Sequence, residues 1–308
     1  MWLFELDYTG TSQATSWEAN AYYFQPIYSL GGFLFRRETL IMKLLKTGNV
    51  IGFLAVVLLG TAVMAADKQR PEDKAGYDKT KDVGAAVPKG ADVPFDGTQK
   101  SVEANWEMWP KPDMKITWSL VDSPSGGKKV LMTNGGQRWG THDLVTKKKY
   151  KDFEGHVEFV MMGKRGDDSV EGYANSGVYL QNRYELQIES PKGKNVKDPY
   201  GWKIGPHGIG AFCMERVPDI NAWRPNGEWH AFHFVFKAAR WDGDKSIEPA
   251  RATVWWNGVK IHDNVAIKHA NGGVSVSPSV EGLKLQEHGQ DVRYRNIWIK
   301  ESAGDQAK

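Results

Sequence analysis

Along the later part of the chain, apolar side chains recur at every second position in short runs separated by turn residues. That period predicts strands with two unlike faces. In "FEGHVEFVMM", Phe153, Val157 and Phe159 alternate with Glu154, His156 and Glu158. "GVYLQ" and "YELQIES" follow closely, and "EWHAFHFVFKAA" sets Phe232, Phe234 and Phe236 on one face. "ATVWWNGVKIHDN" reads as a hairpin, because Asn257 and Gly258 suit the two positive-φ positions of a type I′ turn. "VRYRNIWIK" supplies a last strand. Long helical periodicity is absent. Strands joined by turns, without interleaved helices, predict an all-β fold: an antiparallel β-sandwich or jelly roll.

The pattern is different before residue 93. "MKLLKTGNVIGFLAVVLLGTAVMAADK" starts at Met42 with two lysines, continues through an apolar run and ends in small residues at Ala65. It reads as a signal peptide over 42–65, since the apolar run is shorter than the ~20 residues of a membrane span. Residues 1–41 precede it with no clean period and are expected to reflect an upstream start, Met42 being the true one. Residues 66–92 are rich in Lys, Asp, Gly, Ala and Pro, with almost no large apolar side chain, and read as a flexible linker. Of 13 Trp, 11 fall after residue 100, so the aromatic core belongs to one domain over about 93–303. The expected mature protein is exported, periplasmic or extracellular, in a bacterium, with no stable membrane insertion.

Forty Lys and Arg against 37 Asp and Glu leave a net charge of +3 in 308 residues. That balance argues against a nucleic-acid partner, which would need a dense basic stripe. The single cysteine, Cys213, excludes an internal disulfide framework and a thiolate metal cluster, and its Gly-rich, apolar setting suggests a buried, inert thiol. Asp167 and Asp168 in "GKRGDDSVEG" could take a divalent cation such as Ca²⁺, or form a plain acidic turn; no metal site or other cofactor is assigned.

The candidate chemistry lies on "NSGVYLQNRYELQIES". Tyr184, Leu186 and Ile188 share one parity, so Arg183, Glu185, Gln187 and Glu189 share the other. If His156 and Glu158 lay on the same sheet, they would extend this polar floor. Carboxylates and amides pair with sugar hydroxyls, while aromatics pack on the C–H face of the ring. Glu185 and Glu189 stand at i and i+4, as in retaining glycosidases with an E-x-D-x-E strand, but Gln187 occupies the centre. Their Cα atoms should be roughly 13 Å apart, whereas a retaining pair needs carboxyls about 5 to 5.5 Å apart. A single-base reaction fits better than double displacement. His207 in "GPHGIG" and the group Gln286, His288, Arg293 and Arg295 are further candidates, and the long loop from Pro191 to Trp229 is expected to fold over one face.

These motifs, with "FDGT" from Phe95, "WNGVKIHDN" and "LKLQEHGQDVRYRNIWIK", occur in the order seen in the 3-keto-disaccharide hydrolase domain family, and the resemblance spans roughly 93–301. It implies a concanavalin A-like β-sandwich and an exported hydrolase acting on 3-keto-glycosides by C2-proton abstraction, elimination at C1 and hydration. On that resemblance Glu185 is the base, Gln187 and Glu189 position hydroxyls, Asn175, Gln286 and Arg295 bind sugar or enolate oxygens, and His288 is the acid at the leaving group. Arg183 and His207 complete the expected substrate contacts. The alternative is a non-catalytic carbohydrate-binding module on the same face. The oligomeric state stays open.

Overall fold

Alternating strands bury one face each by packing sheet on sheet, and that is the architecture of the computed structural model, which describes residues 69–133, 141–163, 173–192 and 197–302. The expected signal peptide and the segment before it lie outside the described residues. One sheet has eight strands. Its order is β13 (Val259–Ile267), β12 (Ala250–Trp256), β9 (Trp229–Lys237), β6 (Phe153–Gly163), β15 (Asp291–Glu301), β4 (Val130–Met132) and β3 (Ser119–Val121), with β1 (Asp92–Phe95) also paired to β15. The other has five, in the order β2 (Trp106–Trp109), β5 (Asp143–Thr146), β14 (Lys284–Leu285), β7 (Asn175–Leu180) and β8 (Tyr184–Glu189). A separate hairpin joins β10 (Arg240–Asp242) to β11 (Lys245–Glu248). The pairings are antiparallel, as expected.

The predicted parities meet in the middle. Phe153, Val157, Phe159, Phe232, Phe234 and Phe236 of the large sheet pack against Val178, Leu180, Leu186, Ile188 and Leu285 of the small one in a single buried cluster. The β12–β13 hairpin turns at Asn257 (φ 51°) and Gly258 (φ 77°), the two positive-φ positions expected there. The Asn257 side chain also accepts from Ala231 N at 2.8 Å and donates to Ala222 O at 2.8 Å. One short helix, α1 (Gln99–Asn105), is capped by Thr98, whose hydroxyl accepts from Ser101 N at 3.1 Å.

Residues 69–91 correct the expectation of a flexible linker. They form a strap on the outer face of the large sheet, over His156, His233 and Trp298, which are almost wholly buried. Arg224 donates to both oxygens of Asp82, at 2.8 and 2.6 Å, and Tyr77 OH donates to Asp82 at 2.8 Å. Gly84 N donates to Glu158 Oε1 at 2.7 Å. Composition misled because the apolar surface being covered belongs to the sheet; the strap contributes charged hydrogen bonds, which need no apolar density of its own. Asp82→Ala leaves the buried Arg224 guanidinium short of its main partner. It is expected to cost about 3 kcal/mol, read as a lower urea midpoint with an unchanged slope.

The long loop does more than cover a face. Gln187 N donates to Ala211 O and Gly210 N to Gln187 O, each at 2.9 Å, so residues 210–213 satisfy the free edge of β8. Ile209, Phe212, Ala222 and Trp223 of the same loop enter the core.

Candidate functional site

The β7–β8 register sets Asn175 against Glu189, Gly177 against Gln187 and Tyr179 against Glu185. β14 continues the row by pairing Lys284 with Tyr179, and Trp109 pairs with Asp143 at the other edge. One face of the small sheet, turned from the core, therefore carries Glu185, Gln187, Glu189, Asn175, Tyr179, Lys284, Gln286 and Asp143. Glu185 is nevertheless only 5% exposed. Two loops close over it. Asn271 Nδ2 donates to Glu185 Oε2 at 2.5 Å, and Cys213 N donates to the Glu185 carbonyl at 3.1 Å.

Burial pushes the Glu185 carboxyl up to about 7, against the pull of the Tyr179 hydroxyl, the Lys284 ammonium and the Cys213 thiol. Gln286 Nε2 donates to Tyr179 OH at 2.9 Å, which leaves the phenolic proton for Glu185. Lys284 is fully buried. Its ammonium donates to Asp143 Oδ2 and Gly272 O, each at 2.9 Å, and lies 3.7 Å from the Tyr179 ring centroid and 4.3 Å from that of Trp109. Burial lowers Lys284 and raises Asp143, and their contact opposes both shifts. Cys213 is only partly buried, not fully as expected, yet burial and the neighbouring Glu185 push its thiol up to about 12, which fits an inert thiol.

Three amide oxygens on this face, of Asn175, Gln187 and Gln286, are buried without a hydrogen-bond partner. A buried unpaired acceptor costs free energy unless a ligand satisfies it. Three on one face form a ready set of acceptors for hydroxyl donors. At the far end Glu189 accepts from Tyr173 OH at 2.7 Å and Lys192 Nζ at 2.6 Å, and Asn175 Nδ2 donates to Tyr173 OH at 2.7 Å.

Gly177 makes room for the carboxylate: a Cβ there would stand 2.5 Å from Glu185 Oε1 and 3.1 Å from the Tyr179 ring. Gly177→Ala must displace both, and a displacement of that size is expected to lower kcat by about 10- to 100-fold. Steady-state kinetics beside a thermal melt would check that the fold persists.

Residues 90–300 match the 3-keto-alpha-glucoside-1,2-lyase-like domain family. The chain belongs to this family. No curated protein sequence matches it. Its fold is similar to that of a candidate glycosyl hydrolase from Parabacteroides distasonis ATCC 8503, 25% identical, with a TM-score of 0.52 over 70% of this chain and 85% of that one. A second candidate glycosyl hydrolase of that organism is 18% identical, with a TM-score of 0.47 over 70% and 98% of the two chains. The alginate lyase vAL-1 from Chlorella virus is 13% identical, with a TM-score of 0.31 over 60% and 89%.

Within this 3-keto-glucoside lyase-like domain, the structure brings together Glu185, Gln187, Glu189, Asn175 and Gln286 of the residues expected from sequence. His288 follows β14, bonded through Nδ1 to Gln290 Oε1 at 3.2 Å, and is close enough to bear on Asp143. His207 is exposed, its Nδ1 3.4 Å from Cys213 Sγ, so it borders the site through that thiol.

Two expected substrate contacts are corrected. Arg183 directs its guanidinium to Ser275 O, Ser277 Oγ and Ser279 Oγ at 2.9, 2.9 and 2.6 Å, bracing a loop, because it stands in the turn before β8 where strand parity does not hold. Arg295 lies on the outer face of the large sheet, donating to Glu158 Oε2 at 2.7 Å and stacked 3.8 Å from the Trp229 ring centroid. His156 and Glu158 are likewise on that other sheet and do not extend the floor. Burial alone would raise Glu158, but the His156 imidazole 3.5 Å away and hydrogen bonds from Asn296, Gly84 and Arg295 hold it at about 2. His230 is structural: Nε2 donates to Arg224 O and Nδ1 accepts from Trp256 Nε1, each at 3.0 Å.

Lys284, Tyr179, Asp143 and Asn271 were not foreseen. "LKLQ" carried a signal for Lys284, which alternates with core Leu283 and Leu285 and shares the parity of Gln286. Asn271, in a loop 86 residues from Glu185, carried none. Among the described residues no group of three or more His, Cys, Asp or Glu side chains could hold a metal ion, and Asp167 and Asp168 lie outside them.

Proposed function

We propose that this domain is an exported enzyme that cleaves 3-keto-glycosides by elimination, with Glu185 as the base. The observation that supports it best is a buried carboxyl brought to about 7 beside three unpartnered amide oxygens. A base is most useful when its pKa lies near the working pH. A C3 ketone acidifies the C2 proton. Glu185 takes that proton, the C2–H electron pair forms the C2–C3 enolate, and collapse of the enolate breaks the C1–O bond. The leaving oxygen receives a proton, for which His288 is the candidate donor, and a 1,2-unsaturated 3-keto sugar remains. Water then adds its oxygen at C1 and its proton at C2, and the sum is hydrolysis. Lys284 contributes positive charge in a dry site where the enolate develops, and such preoriented charge is worth far more there than in water. Asn175, Gln187, Gln286 and Glu189 hold sugar hydroxyls, with His207 at the border.

The second reading is a carbohydrate-binding module using the same unpartnered amides. A pure binding face has no use for a carboxyl poised at neutrality, which favours the enzyme. The purified protein, incubated with matched 3-keto and ordinary disaccharides, is expected to release monosaccharide only from the former. Inertness toward both would leave the binding module, and cleavage of the ordinary sugar alone would restore the glycosidase.

A further inference from the structure

A cleft of about 500 Å³ opens between the β10–β11 hairpin and segment 277–280. A smaller one of about 240 Å³ adjoins it, sharing Tyr184, Ala239, Ile247 and Glu248. No residue assigned to the reaction lines either. The combined space falls within the range of small-ligand pockets.

The walls are chemically mixed. Trp241 and Ile247 of the hairpin both line it; Trp241 is partly buried and packs against the core, while Ile247 is 57% exposed, a large apolar side chain left in water. Facing them are hydroxyls already held in place: Arg183 donates to Ser277 Oγ at 2.9 Å and to Ser279 Oγ at 2.6 Å. Arg240 is fixed by Asp152 at 2.7 and 3.0 Å, so its charge is matched outside the cleft, while Lys151, Lys268 and Glu248 bring two positive charges and one negative. An apolar plate opposite preset hydroxyls, with a net charge of only one, suits a ligand with a C–H face and a rim of hydroxyls. Fixed polar groups also lose little entropy on binding.

We infer that this cleft is an accessory binding site for a neutral oligosaccharide, separate from the Glu185 face. The choice of a sugar over another polyol rests on the glycoside-processing reading above. Segment 277–280 continues the loop whose Asn271 and Gly272 cover Glu185 and Lys284. An occupant would therefore brace the wall of the reaction site without touching the reacting atoms.

Calorimetric titration of the full chain carrying E185Q with cellotetraose, laminaritetraose and maltotetraose tests this. At least one should bind, and adding W241A should weaken that binding by about tenfold. I247D at the rim should weaken it in the same direction, and far-UV circular dichroism should show both variants folded. W241A alone should keep 3-keto-disaccharide turnover within about twofold of the unsubstituted protein, as expected of distant sites. Binding untouched by both substitutions, no binding of any tetraose, or binding confined to acidic oligosaccharides would each overturn the inference. Trp241-dependent binding by a protein that turns over no 3-keto sugar would sink the catalytic reading and leave this site standing.

Discussion

Glu185→Gln is expected to lower turnover of a 3-keto-disaccharide by about a thousandfold while substrate affinity changes little, the loss typical of a removed general base. The amide keeps the shape and can still accept from Asn271, so what disappears is the ability to take the C2 proton. The pH dependence follows from the same group. A base must be ionised, so kcat/KM of the unsubstituted protein should climb as pH rises through about 7, where burial has set the carboxyl, and the residual rate of the variant should lack that step.

Stability moves the opposite way. The folded protein holds the Glu185 proton up to about 7, whereas the unfolded chain releases it near the ordinary ~4.3. Between those values the native state binds more protons, so this group's contribution is fully present below the unfolded value and declines as pH rises through the folded one. Glu185→Gln removes a charge that is buried at high pH. Its melting temperature should therefore equal or exceed that of the parent at pH 8, with a smaller margin at pH 5. A carboxylate serving only the fold would give a variant that melts earlier at pH 8.

Lys284→Met should have the largest effect on stability. It strands Asp143, 1% exposed in its side chain, without the ammonium 2.9 Å away. Breaking a buried pair from one side costs about 3–5 kcal/mol, a fall in melting temperature on the order of 10 °C for a domain of this size. Lys284→Met combined with Asp143→Asn should recover most of that loss. The asparagine oxygen can still accept from Glu287 N, which donates to Asp143 Oδ1 at 2.9 Å, and no charge is left unpaired. Turnover should not recover, remaining about 10²- to 10³-fold down, because the positive charge near the enolate is still missing. A stable double variant with restored kcat would remove Lys284 from the mechanism.

Legibility differed sharply among particular residues. Glu185, Gln187 and Glu189 were readable because strand period assigns all three to the face opposite Leu186 and Ile188, and a misplaced apolar set would be heavily penalised. Gln286 was readable from its motif. Arg183 was misread by the same rule, because the period of two ends where the strand does. Residues 69–91 were misread because composition reports what a segment can bury by itself, not the hydrogen bonds a neighbouring sheet offers it.

What the sequence by itself determined was local: alternation, the Asn257–Gly258 turn, and which side chains stand opposite the core within one strand. Sheet membership was decided only by the tertiary structure. Glu158 and Arg295 have the same outward parity as Glu185 and Gln286, yet β6 and β15 pair with each other in the large sheet, and β8 joins β14 through β7 in the small one. Parity names a face relative to its own sheet and says nothing of which sheet that is. The raised carboxyl of Glu185 was decided there too, since it depends on water excluded by loops distant in sequence, and desolvation is a property of the assembled surroundings rather than of a residue and its neighbours.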